Sequence, residues 1–113
     1  MSAANFFQFT QSITADGTYV SDAKDIEQYS IHLVLAAITT DLTDGSYVVT
    51  LQHTPDAGTN WVDVDSLTAI TTEKAATKSI ADHVISIIRL KVVATSVTTG
   101  ATVNAKLFWG KLR

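Results

Sequence analysis

From His83 to Thr95 the chain alternates with a period of two: Val84, Ser86, Ile88, Leu90, Val92 and Ala94 fall on one side, and Ile85, Ile87, Arg89, Lys91, Val93 and Thr95 on the other. Successive side chains of an extended strand point to opposite faces, so this stretch predicts a long strand with one apolar face. Its second face passes from apolar to charged, as for a strand running from a covered region toward solvent. Thr102 to Trp109 repeats the pattern, with Val103, Ala105, Leu107 and Trp109 inward and Thr102, Asn104, Lys106 and Phe108 outward. Gln28 to Ala36 places Tyr29, Ile31, Leu33 and Leu35 on one face, although Leu33 to Ile38 alone also fits a helix.

Two further extended segments, Tyr47–His53 and Val62–Asp65, flank Thr54-Pro55-Asp56-Ala57-Gly58-Thr59-Asn60-Trp61. A Pro/Asp/Gly/Asn cluster between two such segments predicts a β-hairpin. Pro55 presets φ for a turn, Asp56 can accept backbone N–H groups, and Gly58 can take a positive φ. Trp61 stands where the returning strand begins and can lie under the loop as a clamp. Thr54, Asp56, Gly58 and Trp61 fill the four specified positions of the pattern Ser/Thr-x-Asp-x-Gly-x-x-Trp, so the stretch resembles the Asp-box. That resemblance implies a structural hairpin remote from catalysis. The chain carries one copy, whereas propellers repeat the box from blade to blade.

The remaining segments are shorter. Asn5–Ile13 holds Phe6, Phe7 and Phe9 and reads either as a first strand or, over residues 1–12, as an N-terminal arm. Thr18–Ser21 is extended, and Asp22–Asp25 is a loop. Leu67–Thr72 is weakly patterned, and Glu73–Lys78 is a polar crossing or short turn, the one stretch with appreciable helical content. Together these predict an all-β fold: an antiparallel β-sandwich or jelly roll of about seven or eight strands in a single domain, residues 1–113. Internal repeats are not evident.

Composition narrows the function. The 113 residues suffice for one core, and 46% are hydrophobic. The chain has no cysteine, which excludes disulfides, thiol catalysis and cysteine metal sites. Neither a membrane-spanning run nor a signal peptide is evident, which predicts synthesis and folding in a cytoplasm. Met1–Asp65 carries nine acidic residues against Lys24 alone, and Ser66 onward carries seven basic against Glu73 and Asp82. Acidic turns explain this asymmetry, and head-to-tail or ring association is the sharper reading. The basic residues are scattered singly in a chain of net charge −3, which argues against nucleic acid as a partner.

Catalytic and metal-binding patterns fare poorly. His32, His53 and His83 each lack a partner at ligand spacing. Asp63 and Asp65 are expected on the same side of one strand, whereas glycoside hydrolysis needs carboxylates facing each other across a cleft. Calcium held by Asp41, Asp44, Asp56, Asp63 and Asp65 is the alternative to solvated carboxylates. The expectation is no catalytic residue, no cofactor and no metal. Trp61, Trp109, Phe108 and Tyr47 could form a sugar platform, but core packing is the commoner fate of such residues. Phe108 is the exception: on the outward side of the last strand it suggests an interface, as do Phe6, Phe7 and Phe9.

A wider resemblance runs over roughly residues 47 to 107. Val49-x-Leu51-x-His53-Thr54-Pro55-Asp56-x-Gly58-Thr59-Asn60-Trp61-x-Asp63-Val64, then Ile88-Arg89-Leu90-Lys91-Val92-x-Ala94-Thr95, then Gly100-x-Thr102-Val103-x-Ala105 resembles small β-sandwich proteins of tailed-bacteriophage virions. It implies a capsid decoration or cement protein, made in the host cytoplasm and located in the virion. Its partners would be the phage major capsid protein or another virion protein, and its own copies, as a homotrimer at a capsid three-fold. It implies no enzyme activity and no nucleic-acid or membrane partner. A carbohydrate-binding module or lectin-like adhesin domain is the alternative.

Overall fold

The computed structural model describes residues 5–26, 30–81, 84 and 86–111. Among them nine strands are formed: β1 (Asn5–Ile13), β2 (Gly17–Val20), β3 (Lys24–Asp25), β4 (Ser30–Thr40), β5 (Ser46–His53), β6 (Val62–Ser66), β7 (Ala75–Ser79), β8 (Ile87–Thr95) and β9 (Ala101–Lys111). They make two antiparallel sheets. One has the order β1-β9-β4-β7, and the other β2-β8-β5-β6 with β3 also on β8. The chain is therefore all-β and two-layered. Tyr29, His83 and Ile85, assigned above to strands, lie outside the described residues.

The core is the meeting of the two inner faces. Leu35, Val103, Ala105 and Leu107 from the first sheet face Val49, Leu51, Leu90 and Val92 from the second, all essentially inaccessible. This is the face that period-two alternation selects. Along β9 every odd residue from Ala101 to Trp109 is buried and the even ones are not, as the alternation requires. Phe7 and Phe9 also turn inward and pack against the core. Residues 5–13 thus pair with β9 throughout, from Asn5 opposite Trp109 to Ile13 opposite Ala101.

Four segments depart from the sequence reading, the shortest being Lys24–Asp25, which lies in the expected loop Asp22–Asp25 and pairs with β8 as β3. Ala75–Ser79 is a strand, not a crossing: it pairs with β4 from Val34–Ser79 to Ile38–Ala75. As an edge strand it offers only Ala76 to the core, so its composition shows no apolar face. Leu67 and Ile70 continue the line of β6 along β5, the Ile70 N–H donating to the Tyr47 carbonyl at 2.8 Å, and both side chains are buried. β4 carries an irregularity between Ile31 and Val34, with His32 at a φ of 55°. The expected unbroken alternation through this strand is interrupted there, and Leu33, Leu35 and Ala37 are the residues delivered to the core.

On the outer side of the four-stranded sheet the register builds cross-strand rows. Phe6, Phe108, Val34 and Ser79 make one row; Gln8, Lys106, Ala36 and Thr77 the next; Thr10, Asn104, Ile38 and Ala75 a third.

Candidate functional site

The hairpin loop between β5 and β6 is held by its own side chains. Thr54, 2% exposed, accepts through Oγ1 from the Gly58 N–H at 2.8 Å and the Asp56 N–H at 3.3 Å, and donates to Asp56 Oδ1 at 2.9 Å. Asp56 in turn accepts from the Asn60 N–H at 2.8 Å and from Asn60 Nδ2 at 2.6 Å. Those Asn60 bonds hold the Asp56 carboxyl below its ordinary value. Gly58 sits at a φ of 101°, which a side chain would resist. The Trp61 ring lies beside Gly58 and donates Nε1–H to its carbonyl at 3.2 Å. Thr54, Asp56, Gly58 and Trp61 thus come together as one hydrogen-bonded turn. Trp61 is half-buried rather than enclosed, because its other neighbour is the Arg89 guanidinium, 4.4 Å from the ring.

Arg89 belongs to a polar array on the outer face of the five-stranded sheet. Its Nε donates to Gln52 Oε1 at 2.7 Å, Gln52 Nε2 donates to Asp63 Oδ1 at 2.7 Å, and Lys91 Nζ meets the same oxygen at 3.2 Å. The Gln52 bond, followed by Lys91, holds the Asp63 carboxyl low. Asp63 and Asp65 do not share a face. The register shifts between Leu51 and Gln52, so Asp63 stands opposite Gln52 and Asp65 opposite Leu51. Asp65 meets Lys78 of the other sheet at 2.8 Å, an ion pair that fastens the two layers at their β6 and β7 edges.

The remaining carboxylates are dispersed. Asp44 accepts from the N–H groups of Thr98, Thr99 and Gly100 at 3.0–3.2 Å, and the Gly100 bond is the main cause of its lowered pKa. Asp16 accepts from the Val97 N–H at 2.7 Å. Asp41, Asp44, Asp56, Asp63 and Asp65 therefore do not converge as calcium ligands. Among the described residues no three of His, Cys, Asp or Glu form a group that could hold a metal. His32 is exposed at the β4 irregularity, and His53 is half-buried at the end of β5. An open groove of about 370 Å³ beside Leu67, Thr68, Ala76 and Thr77 is bordered by Lys74 and by Lys78, the partner of Asp65.

The aromatic residues separate into two sets. Tyr47 and Trp109 are buried in the core and Trp61 is covered by Arg89, so no sugar platform assembles from them. Phe7 and Phe9 face inward. Phe6 and Phe108 stay on the outer face of the four-stranded sheet with ring centroids 5.7 Å apart, and Phe6 is 54% exposed. Ile38, 41% exposed, lies on the same face, where Lys106 is the one charged residue of the three rows described above. Alternation along β9 made Phe108 legible. The selection of Phe6 over Phe7 and Phe9 needed the pairing register.

No protein-family model matches the sequence, and no curated protein is significantly similar to it. Among solved structures, the chain is similar to one from the Bacillus endospore appendages, described as a novel family of disulfide-linked pili. The TM-score is 0.57 at 11% identity, over 97% of this chain and 88% of the other. At that identity the likeness is one of fold. It corrects the virion reading: the whole-chain match is to a bacterial appendage chain, whereas the phage resemblance rested on a hairpin and alternating strands that any such sandwich can carry. The capsid-decoration role, the major capsid protein as partner, the virion location and the capsid three-fold homotrimer fall with it. So does the carbohydrate-binding alternative, whose platform is not built.

Proposed function

We propose that this chain is a self-associating structural subunit, a building block of an extracellular appendage. The observation that carries the reading is the Phe6–Phe108 pair held on an outer sheet face, over a fold similar to a pilus-forming chain. Exposed apolar side chains on one sheet face, Phe6 and, two rows away, Ile38, are costly in water and favour a protein contact. The Asp-box-like turn serves as a structural clamp in this subunit, and Phe6 and Phe108 belong to the contact. The single-domain reading and the finer jelly-roll description accompany it. With the two-residue β3 set aside, consecutive strands from β1 to β9 occupy the positions of two interleaved four-stranded keys, which supports that connectivity.

Without cysteine, these 113 residues offer no thiol for a disulfide between copies. Light scattering and negative-stain microscopy over rising concentration test the reading. Oligomers or filaments that persist in reductant and dissolve in denaturant are expected. A monodisperse monomer at hundreds of micromolar would overturn it.

A further inference from the structure

We propose that the outer face of the β1-β9-β4-β7 sheet is a contact between two copies of this chain, related by a two-fold axis parallel to its strands. The proposal rests on the self-association reading and names the surface and geometry that reading leaves open.

Size is the first argument. Four strands about 4.8 Å apart, followed over nine residues at about 3.3 Å each, cover roughly 550 Å² a side. A pair of such faces buries on the order of 1,100 Å², above the usual size of crystal packing contacts and at the threshold of a specific interface.

Charge is the second. A face that meets its own copy cannot carry many charges of one sign, because each would confront its like. Across the three rows the one charge is Lys106, and its ammonium lies 5.8 Å from the Phe6 ring, drawn toward the β1 edge where it can stay in water. The outer face of the other sheet, by contrast, holds Asp63, Arg89 and Lys91.

Relief is the third, and it fixes the axis. The β1 and β9 side of the face is raised by Phe6 and Phe108, while the β4 and β7 side is low at Ala36, Ala75, Thr77 and Ser79. A two-fold axis parallel to the strands lays β1 over β7 of the second copy and β9 over its β4, without moving any row along the strands. Phe6 then stands over Ser79 of the second copy, and Phe108 over its Val34. The Phe6 and Phe108 rings of each sheet thus meet smaller side chains of the other, and Ile38 stands over Asn104 of the second copy, at the spacing of about 10 Å usual for packed sheets.

Analytical ultracentrifugation of the full chain tests the surface with Phe6→Glu and Ile38→Lys, and with Val20→Lys on the other sheet as control. Circular dichroism verifies that each variant is folded, which the exposure of all three positions favours. Phe6→Glu and Ile38→Lys should weaken self-association about a hundredfold or more, since each change acts twice in a two-fold contact, and Val20→Lys should leave it unchanged. The axis is tested by mixing Gln8→Cys with Thr77→Cys chains and adding a bis-maleimide of about 8 Å reach, on the expectation of cross-links between the two variants. If the native chain associates but folded Phe6→Glu and Ile38→Lys associate equally well, this surface is wrong and self-association stands. A native chain that stays monomeric ends both. Cross-linking of Gln8→Cys only to itself would overturn the strand-parallel axis.

Discussion

The Arg89 guanidinium lies 4.4 Å from the centroid of the Trp61 ring, joining the strand in the middle of one sheet to the loop at its rim. Ring and cation shield each other, and Arg89 is further fixed by Gln52. The ring is therefore an outer clamp and not a core residue. Trp61→Ala should lower stability by about 1–2 kcal/mol, less than a fully buried tryptophan would, through lost contact area and a cation–π term of about 0.5–1 kcal/mol. Urea unfolding measures it, and a double-mutant cycle with Arg89→Ala should return a coupling of the latter size. A zero coupling would show that the stack contributes nothing.

Thr54 should matter more than its size suggests. Its buried hydroxyl serves the N–H groups of both Asp56 and Gly58. Thr54→Val keeps the shape and strands those donors, which should cost about 1–3 kcal/mol. Thr54→Ser, which keeps the hydroxyl, should cost less than half as much in the same unfolding assay.

Gly100 is the least replaceable glycine. Its φ is 98°, and a Cβ there would stand 1.8 Å from the Ile13 carbonyl oxygen. Gly100→Ala should cost about 3 kcal/mol or more from left-handed strain and overpacking together. Calorimetry showing an unchanged melting temperature would contradict this close approach of the two chain segments.

Acid should weaken the fold through four carboxylates. Asp44, Asp56, Asp63 and Asp65 all titrate below the ordinary 3.8 when folded, because N–H groups, amides and lysines stabilise their charge. A depressed folded pKa contributes stability that is present above the unfolded value and is lost as pH falls through the folded one. Melting temperature should therefore vary little with these groups above about pH 5 and fall steadily below 3.8. Asp44→Asn should flatten part of that fall, since its partners are the three N–H groups of residues 98–100.

How much of this was legible in the sequence depends on which force set each feature. β5, β8 and β9 were legible because one of their faces is buried, and burial writes itself as alternation. The turn at Thr54–Trp61 was legible because its geometry demands particular side chains. β7 was not, since an edge strand is held mainly by backbone bonds that any residue can make. The separation of Asp63 from Asp65 was hidden for a different reason: one extra residue in β6 reverses the faces, and nothing in Val62-Asp63-Val64-Asp65 marks it. The same limit applied to Phe6, Phe7 and Phe9. Three aromatics near one end suggested one surface, but the pleat divides them between core and solvent.

The strand order also governs when the fold can form. β9 is the only neighbour of β1 among the described strands and lies between it and β4, while β8 joins β2, β3 and β5. β8 and β9 come last among the described strands. During synthesis, β1, β2 and β3 have no strand to pair with until β8 and β9 have emerged, whereas β4 can already pair with β7 and β5 with β6. Pairings across such separations are slow to nucleate. In that interval the apolar faces of β1 and β4 are open to neighbouring chains, which makes the nascent protein prone to aggregate. Shortening the chain from its late end would therefore do more than remove one strand: it would leave β1 without a partner and divide the first sheet.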